Sequence, residues 1–442
     1  MRFTGYLLLV CVTACATTGS TTAGAERGIT FIEDDYAAAL KAARDRNVPL
    51  FVDAWAPWCH SCVFLREHVL TRAELQHNEK RFVFLAINTE RESNSPFLEK
   101  YPVEVWPTLF VVDPAKEQAV LKWLGTGTVE QLERLFEDGE RTAKAAAKSD
   151  DPLALLAEAD RLYAERKDAI PAYQAAVAAL PADHPRRPRA IESLINAAYG
   201  SRNLQQCAQL GVEHAAKQPR GPSFVNTLAL SLSCASMAEA SEPWRAAVIT
   251  ALEPLAFEAL KLDGILADDK SGIYELLVGL KEERKDEAGQ KALALEWLAF
   301  LEGEAKRAAT PAARAVFDPH RVNAAIAAKE PLRAEAALLQ SERDLPGDYN
   351  PPARLALVYR EAGKLDDALA AVERAFGKAY GPRKLRVFET KASILAKKGD
   401  VAGARAVLAE AIAFGKHLPA VQRSDKAIAR VEEQLEQLGP AK

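Results

Sequence analysis

Two cysteines, Cys59 and Cys62, are the residues of this chain best placed to do chemistry. They follow Pro57 and open a stretch with the pattern of a helix, and side chains three positions apart share one helix face. The two sulfurs can therefore close a tight disulfide, and the free N–H groups at the helix start stabilise a thiolate on the first cysteine. This arrangement predicts thiol–disulfide exchange, in which Cys59 attacks a substrate disulfide and Cys62 resolves the mixed disulfide.

A zinc site is the alternative, because C-x-x-C is also half of a common zinc motif. A complete site needs about four ligands, often from a second pair of cysteines or histidines. The sequence has no second C-x-x-C; His60 lies between the cysteines, and His68 lies farther along the same predicted helix. We therefore predict neither a metal nor a cofactor at this site.

The elements that must position this pair alternate in type along the first third of the chain. Apolar runs predict strands, and apolar residues at helical spacing predict helices. The predicted helices span 33–47 and 59–70, a closing helix begins with 129–136, and the predicted strands span 50–52, 81–88, 108–112 and 119–124. This alternation indicates a layered α/β sheet domain.

Two segments near the cysteines resemble a known family. Residues 51–62, Phe-Val-Asp-Ala-Trp-Ala-Pro-Trp-Cys-His-Ser-Cys, resemble the active-site strand and turn of thioredoxin, and residues 105–110, Val-Trp-Pro-Thr-Leu-Phe, resemble its cis-proline loop. The resemblance covers residues 30–139 and implies an α/β thioredoxin-like domain. The bulky, charged helix after Cys62 is more similar to the C-terminal thioredoxin-like domain of transmembrane thiol:disulfide interchange proteins than to cytosolic thioredoxin.

The resemblance gives catalytic roles to two residues beyond the cysteines. Asp53 matches the buried acid that takes the proton of Cys62, and Pro107 matches the cis-proline beside the disulfide. A lone carboxylate in an apolar run is expected to have a raised pKa, which agrees with proton transfer by Asp53. The alternative places Asp53 at a strand end facing water. A cis-proline exposes backbone groups with which a substrate strand can pair.

Three further residues are expected to contact substrate: Trp58, His60 and Trp106. A protonated His60 would stabilise the thiolate and make the disulfide more oxidising, whereas a solvent-exposed His60 would have little effect. Compared with thioredoxin, Val63 and the position near Leu85 lack lysines, so positive charge near the sulfurs is expected to be lost. The sequence therefore leaves reductase, oxidase and isomerase open.

The rest of the chain, from about residue 143, is dominated by Ala, Leu, Glu, Lys and Arg, which predicts helices throughout. Small residues and turn glycines recur in a similar order at 152–183 and within 352–416, which resembles tetratricopeptide repeats. The alternative is an irregular helical bundle. Helical repeats commonly bind proteins or peptides, so a protein partner is expected on this region.

The N-terminus predicts export. Arg2 precedes a short apolar run from Tyr6 to Val12, which is too short to span a bilayer, and small residues then precede Cys15. This pattern resembles a bacterial lipobox and implies cleavage before Cys15, lipidation of Cys15 and a periplasmic protein anchored to a membrane. The following Ala16 favours the outer membrane. The alternative is an ordinary signal peptide cut nearby.

The predicted organisation has four parts. These are a signal peptide at 1–14, a flexible tether at 15–28, a thioredoxin-like domain at 29–142 and a tetratricopeptide-like helical domain at 150–438. Two cysteines in the last part, Cys207 and Cys234, could form a structural disulfide in an oxidising compartment or remain two buried thiols.

Two functions are compatible with these features. The first is a membrane-anchored, extracytoplasmic thiol–disulfide oxidoreductase that acts on protein disulfides or dithiols, with a membrane-linked redox partner and with helical repeats that recruit a protein. The alternative is a scaffold lipoprotein whose C-x-x-C is a structural disulfide or a redox sensor. The net charge of −4 gives no electrostatic reason to expect a nucleic-acid partner.

Overall fold

The computed structural model describes residues 28–144 and 151–439, and it begins with a five-stranded sheet flanked by helices. The strands are β1 (Ile32–Glu33), β2 (Leu50–Trp55), β3 (Val83–Asn88), β4 (Thr108–Asp113) and β5 (Gln118–Leu124). The helices are α1 (Tyr36–Arg46), α2 (His60–Phe64), α3 (Ser95–Lys100) and α4 (Val129–Lys144). A π-helical turn, Leu65–Val69, continues α2, and 3-10 turns form at Ala73–Lys80 and Glu92–Asn94.

The sheet has the strand order β1-β3-β2-β4-β5, which puts β2 in its middle. β1 and β2 pair with β3 in parallel, while β4 pairs with β2 and β5 in antiparallel fashion. Alternate side chains of β2 face opposite layers: Val52 packs with Ala39 of α1, and the Phe51 ring lies 5.1 Å from that of Phe136 of α4. β2 is therefore buried on both faces, as its continuous apolar sequence predicts.

The predicted α/β domain is confirmed, with two elements that the sequence did not reveal. β1 has only two residues, Ile32 and Glu33, too few for a recognisable apolar pattern. α3 has six residues and a proline near its start, so it is too short for helical periodicity. The closing helix predicted to begin with 129–136 is α4, which extends to Lys144 and packs on β4 and β5.

From residue 151 onward the described chain forms only helices and turns. The helices are α5 (Pro152–Ala164), α6 (Ile170–Ala179), α7 (Arg187–Gly200), α8 (Leu204–His214), α9 (Pro222–Met237), α10 (Arg245–Ala259), α11 (Ala267–Glu283), α12 (Glu287–Arg307), α13 (Pro311–Ala315), α14 (Asp318–Ala327), α15 (Glu335–Asp344), α16 (Asn350–Glu361), α17 (Leu365–Phe376), α18 (Lys384–Lys397), α19 (Val401–His417) and α20 (Asp425–Gln437). Short 3-10 turns at Ala215–Lys217 and Pro331–Ala334 join some of them.

The helix pairs expected from the small-residue pattern are present. α5 packs on α6, α16 on α17 and α18 on α19. Gly363 and Gly399 lie in the turns of the last two pairs with φ of +75° and +87°, a conformation that favours glycine. No helix among the described residues has both the length and the apolar sequence that crossing a membrane requires.

The helical region packs closely on the sheet domain. Their apolar cores are continuous: the ring of Phe64, at the end of α2, lies 6.2 Å from that of Phe317. A buried ion pair also joins them, with Arg186 Nε 3.0 Å from Asp138 Oδ1 of α4. The signal peptide, Cys15 and nearly all of the tether lie outside the described residues.

Candidate functional site

The two predicted redox cysteines form a disulfide at the junction between β2 and α2. Cys59 caps α2, and its Sγ accepts a hydrogen bond from the N–H of Cys62 over 3.1 Å. Cys59 is 5% exposed and Cys62 is fully buried. The first sulfur is therefore the one that a substrate can approach, as expected for the nucleophile.

Tryptophans surround this disulfide. Trp55, Trp58 and Trp106 pack around a small cluster formed by both cysteines and Ala56. The Trp58 and Trp106 rings meet edge to face with centroids 5.2 Å apart. Both indoles hold their N–H groups in place by hydrogen bonds of 2.8 Å, to Glu90 and to Thr89 respectively. The rings thus form a fixed apolar wall beside the sulfurs, and their contact with substrate stays a prediction.

The Trp106–Pro107 peptide bond is cis, as the resemblance implies. Trp106 packs into the cluster around the disulfide, so the cis bond lies at the same end of the sheet as the cysteines. The carbonyl of Pro107 accepts a hydrogen bond of 2.9 Å from the N–H of Gly125, which follows β5. The loop is therefore held by the neighbouring strand.

Asp53 lies in the middle of β2 and is completely buried, so the alternative of an acid facing water is wrong. Burial raises the pKa of this carboxyl to about 6, although the nearby Arg66 guanidinium lowers it. Arg66 Nη1 lies 3.4 Å from Asp53 Oδ2, while Oδ1 has no hydrogen-bond partner among the described residues. A half-satisfied carboxyl with such a pKa can gain and release a proton near neutral pH.

Arg66 corrects the expectation that positive charge near the buried acid is lost. Its guanidinium stacks on the Trp55 ring at 4.4 Å and also pairs with Glu33 at 2.7 Å. A cation on the π-helical turn after α2 therefore lies beside Asp53, although the lysine expected near Leu85 is missing. The charge has moved from the sheet to the helix that packs on it.

His60 joins the sheet domain to the helical region through a chain of hydrogen bonds. Its Nδ1 lies 2.8 Å from Asp268 Oδ1 of α11, and its Nε2 lies 3.0 Å from His320 Nε2 of α14. Ser61 donates to the other Asp268 oxygen over 2.6 Å, and Ser271 continues the chain beyond His320. His60 is therefore partly buried and paired, not the freely solvent-exposed residue of the alternative, and its effect on the thiolate stays a prediction.

The pKa values of the side chains in this hydrogen-bonded chain follow from their burial and from the Asp268 carboxylate. Burial by itself lowers the pKa of His60, but the charge and hydrogen bond of Asp268 outweigh it and the pKa is raised. Burial and the His60 charge lower the pKa of His320 to about 3. Burial opposes ionisation of Asp268, yet His60 brings its pKa to about 2. These shifts favour the positive charge on His60 over His320, so His60 is the donor in the hydrogen bond between the two rings when it is protonated.

His60, Asp268 and His320 are also residue types that bind metal ions. His60, Asp268 and His320 each offer a ligand atom, and these atoms lie within 4.8 Å of one another. In the structure those atoms hydrogen-bond to one another, so a metal would have to enter between the two imidazoles and break their bond. We interpret the cluster as a hydrogen-bonded chain beside the disulfide.

A cavity of about 370 Å³ opens in front of Cys59, between the two parts of the molecule. The sheet domain lines it with Trp58, Cys59 and His60. Its opposite wall comes from the helical region, and includes His320, Tyr349, Asn350, Arg354, Arg383 and Arg386. The helical region therefore forms half of the site.

Three contacts hold that opposite wall in place. Asn350 donates to the carbonyl of Pro57 over 3.0 Å, two residues before Cys59. Glu90 accepts from the N–H of Arg383 over 2.7 Å. Gln422 donates to the carbonyl of Thr89 over 2.8 Å. Sequence reasoning missed all these residues, since nothing in a local motif marks a partner several hundred positions away.

Comparison with known proteins agrees with the sheet domain. Residues 31–114 match a family model described as Thioredoxin-like. The Thioredoxin-like protein CITRX, chloroplastic, of Solanum lycopersicum is 20% identical over an alignment of 117 residues that covers 24% of this chain and 64% of that protein. CITRX2 of Nicotiana benthamiana has the same identity over the same length and is covered to 62%. This chain thus spans a little under two thirds of these relatives.

Two solved structures align with larger parts of the chain. BtubC (BKLC) from P. vanneervenii is 17% identical, with 57% of this chain and 94% of that chain covered and a TM-score of 0.32. A tetratricopeptide repeat protein from Parabacteroides merdae ATCC 43184 is 13% identical, with 66% and 100% covered and a TM-score of 0.39. These scores are too low to carry an inference. Together with the disulfide at the start of α2, the family match shows that residues 31–114 form a thioredoxin-like domain, which a long all-helical region follows.

Proposed function

We propose that this protein is a thiol–disulfide oxidoreductase. The observation that carries the proposal is the Cys59–Cys62 disulfide at the start of a helix, beside the cis bond before Pro107, within a thioredoxin-like domain. The partial exposure of Cys59 and the full burial of Cys62 support an attacking role for the first and a resolving role for the second.

The proposed reaction transfers two electrons. The Cys59 thiolate attacks one sulfur of a substrate disulfide, which breaks that bond, releases one half as a thiol after it gains a proton, and forms a mixed disulfide. Cys62 loses its proton and attacks the Cys59 sulfur, which releases the second half as a thiol and leaves the Cys59–Cys62 disulfide. A dithiol reductant must then return two electrons to the pair; in the opposite direction the same steps oxidise a dithiol.

Asp53 is the proposed acceptor of the Cys62 proton. Its burial, its pKa of about 6 and its oxygen without a partner support this role, since a base should titrate close to the working pH. The proposed role of His60 is electrostatic: as a cation held by Asp268 it favours the Cys59 thiolate and thus the dithiol form. Because the dithiol form is stabilised in this way, the Cys59–Cys62 disulfide becomes a stronger oxidant.

The proposal extends to the place and partners of the reaction. We propose an extracytoplasmic protein anchored by lipid at Cys15, on the pattern of residues 1–15, with protein disulfides or dithiols as substrates and a protein partner on the helical region. A disulfide between the buried Cys207 and Cys234 supports an oxidising compartment. Labelling of the expressed protein with a radioactive fatty acid, lost in Cys15→Ala, tests the anchor.

A second candidate is a scaffold whose cysteine pair is a structural bond, and the low exposure of Cys59 favours it. The reduction potential of the Cys59–Cys62 pair separates the two. A value below about −300 mV would indicate a structural bond, whereas exchange proteins lie between about −270 and −120 mV.

Two substitutions test the oxidoreductase directly. Cys59→Ser should reduce turnover of insulin and of small disulfides to the uncatalysed rate, while Cys62→Ala should accumulate mixed disulfides that a gel without reductant detects. The double variant Cys207→Ala/Cys234→Ala is the matched control and should keep turnover, because that disulfide lies away from the cavity. Full activity of Cys59→Ser would refute the proposal.

A further inference from the structure

The cavity in front of Cys59 contains a cation without a counter-ion. Arg354, on α16, is half-buried in its wall and makes no hydrogen bond or ion pair with any residue that the structure describes. Burial lowers the pKa of its guanidinium. Such a group is costly to keep inside a protein unless something pairs with it, so its position calls for an explanation.

Carboxylates lie near Arg354, but each is engaged elsewhere. Asp348 accepts hydrogen bonds from the backbone N–H and the side chain of Asn350, at 2.8 and 2.7 Å. Asp318 pairs with Arg321 at 2.7 Å and accepts from Ser341 at 2.6 Å. Both raise the pKa of Arg354 through their charge, but neither is in contact with its guanidinium. The N–H groups of the Arg354 guanidinium are therefore without an acceptor among the described residues.

Two more arginines line the same cavity. The guanidinium of Arg383 lies over the Trp58 ring at 4.5 Å, and its side chain has no ion pair within the described chain. Arg386 makes one hydrogen bond of 3.3 Å, to Glu389. Burial lowers the pKa of Arg383, and the charges of Arg386 and Arg354 lower it further. Positive charges thus repel one another in the free protein, and an anion would relieve that repulsion.

The cavity wall offers further polar groups. The Tyr349 hydroxyl is buried and has no hydrogen-bond partner among the residues described. His60, paired with Asp268, lies on the opposite wall next to Cys59. Glu275 also lines the cavity, where it accepts a hydrogen bond from Asn323 over 2.8 Å, but its side chain is 48% exposed and so is screened by solvent. The buried part of the wall is therefore electropositive.

We propose that this cavity binds a carboxylate of the disulfide substrate, at Arg354 and Arg383, and so selects anionic disulfides over neutral and cationic ones. This inference rests on the proposed exchange activity of Cys59 and adds its substrate class. A guanidinium matches a carboxylate with two parallel hydrogen bonds, which gives orientation as well as attraction. The carboxylate thereby places the adjacent sulfur in front of Cys59.

The size of the cavity agrees with a small or extended substrate. About 370 Å³ lies within the range of ligand pockets, roughly 300–1,000 Å³, and far below the size of a folded domain. The carboxylate can belong to a free small disulfide or to an acidic residue beside a cysteine in an extended peptide. The chemistry at the arginines is the same for both, and peptide substrates separate them.

Three disulfides of different charge, each with two methylene groups on either side of the sulfurs, test the selection: 3,3′-dithiodipropionate, 2-hydroxyethyl disulfide and cystamine. With the full-length protein, kcat/KM should fall in that order. Arg354→Gln should lower the ratio of the anionic to the neutral substrate about tenfold, the usual effect of losing a charge-assisted hydrogen bond. The ratio is internal to each variant, so a loss of folded protein does not alter it.

Arg360→Gln is the matched control. It removes the same charge from the same helix, but Arg360 pairs with Glu361 and does not line this cavity. It should leave the ratio unchanged. Equal kcat/KM for all three disulfides, or equal ratios in Arg354→Gln and the original protein, would overturn the inference while leaving exchange activity intact. Absence of turnover with every disulfide would instead refute the proposed function.

A binding measurement is independent of redox chemistry. Suberate, in which two methylene groups replace the disulfide of dithiodipropionate, should change the fluorescence of Trp58 and Trp106 on titration, whereas 1,8-octanediol should not. Failure of suberate to bind would count against the site even if exchange occurs. Peptides with an acidic or a neutral residue next to a disulfide-bonded cysteine then show whether the same preference extends to protein chains.

Discussion

Asp53, the proposed acceptor of the Cys62 proton, is a buried carboxyl whose ionisation lowers the stability of the folded protein. Burial raises its pKa from an ordinary value near 3.8 to about 6, so the folded protein binds this proton more tightly than the unfolded chain. Between pH 4 and pH 6 the unfolded chain loses this proton while the folded protein keeps it, so the stability of the folded protein falls as pH rises. Above pH 6 the folded protein carries the buried carboxylate, which costs about 3 kcal/mol relative to pH 4.

Asp53→Asn should therefore stabilise the oxidised protein above pH 6. We expect the free energy of unfolding in urea to rise by about 1–3 kcal/mol at pH 8 and to change little at pH 4, where Asp53 is already neutral. Asp45→Asn is the control: Asp45 is exposed, and its substitution should change stability slightly. A stabilisation of equal size at both pH values would contradict the proposed burial cost.

The local motif made some site residues predictable and left others hidden. Cys59, Cys62, Asp53 and Pro107 belong to two short segments, so their roles could be expected from the sequence. Arg66 was visible only as one charged residue of a helix, because its contact with Asp53 depends on how that helix packs on β2. The partners of His60 on α11 and α14 could not be predicted, because these contacts depend on how whole helices pack on the sheet domain.

At the scale of elements, α8 and α9 are joined by the Cys207–Cys234 disulfide, and both cysteines are fully buried. The sequence left pairing and free thiols equally open, since burial suits either state. The helical pattern itself was predictable, because small residues and glycine turns repeat locally. The cross-link was not, because it depends on the way two helices face each other.

Loss of this cross-link should destabilise the helical region. It spans 27 positions, and closing such a loop in the unfolded chain is worth about 3–4 kcal/mol. Cys207→Ala/Cys234→Ala should thus lower the midpoint of thermal unfolding by several degrees. Cys59→Ala/Cys62→Ala, which opens a loop of only 3 positions, should lower it less. Equal effects from the two pairs would speak against loop closure as the cause.

At the scale of the whole molecule, the helical region restricts access to Cys59. Gly381 shows how close the approach is: its φ is +64°, and a Cβ there would lie 2.4 Å from the carbonyl oxygen of Glu90. Glu90 in turn holds Trp58 and the backbone of Arg383. A side chain at this position must therefore push the helical wall away from the disulfide.

Gly381→Ala should open the site to larger substrates. We expect the rate with insulin to rise severalfold relative to the rate with 2-hydroxyethyl disulfide, because the widened cleft matters only for the bulky substrate. Gly399→Ala is the matched control, since Gly399 also has a positive φ, +87°, but no atom within 4 Å of the added Cβ. If both variants change the ratio alike, backbone strain rather than access explains it.

The hydrogen bond from Gln422 to the Thr89 carbonyl joins residues 333 positions apart and has a consequence for the order in which the protein is made. A ribosome completes the sheet and both redox cysteines long before it reaches α16, α18 or Gln422. The newly made domain therefore has its disulfide-forming residues without the arginine wall. The proposed substrate selection would therefore be acquired only when the last helices are complete, and a chain interrupted late in translation would keep both cysteines without the arginines that line the cavity.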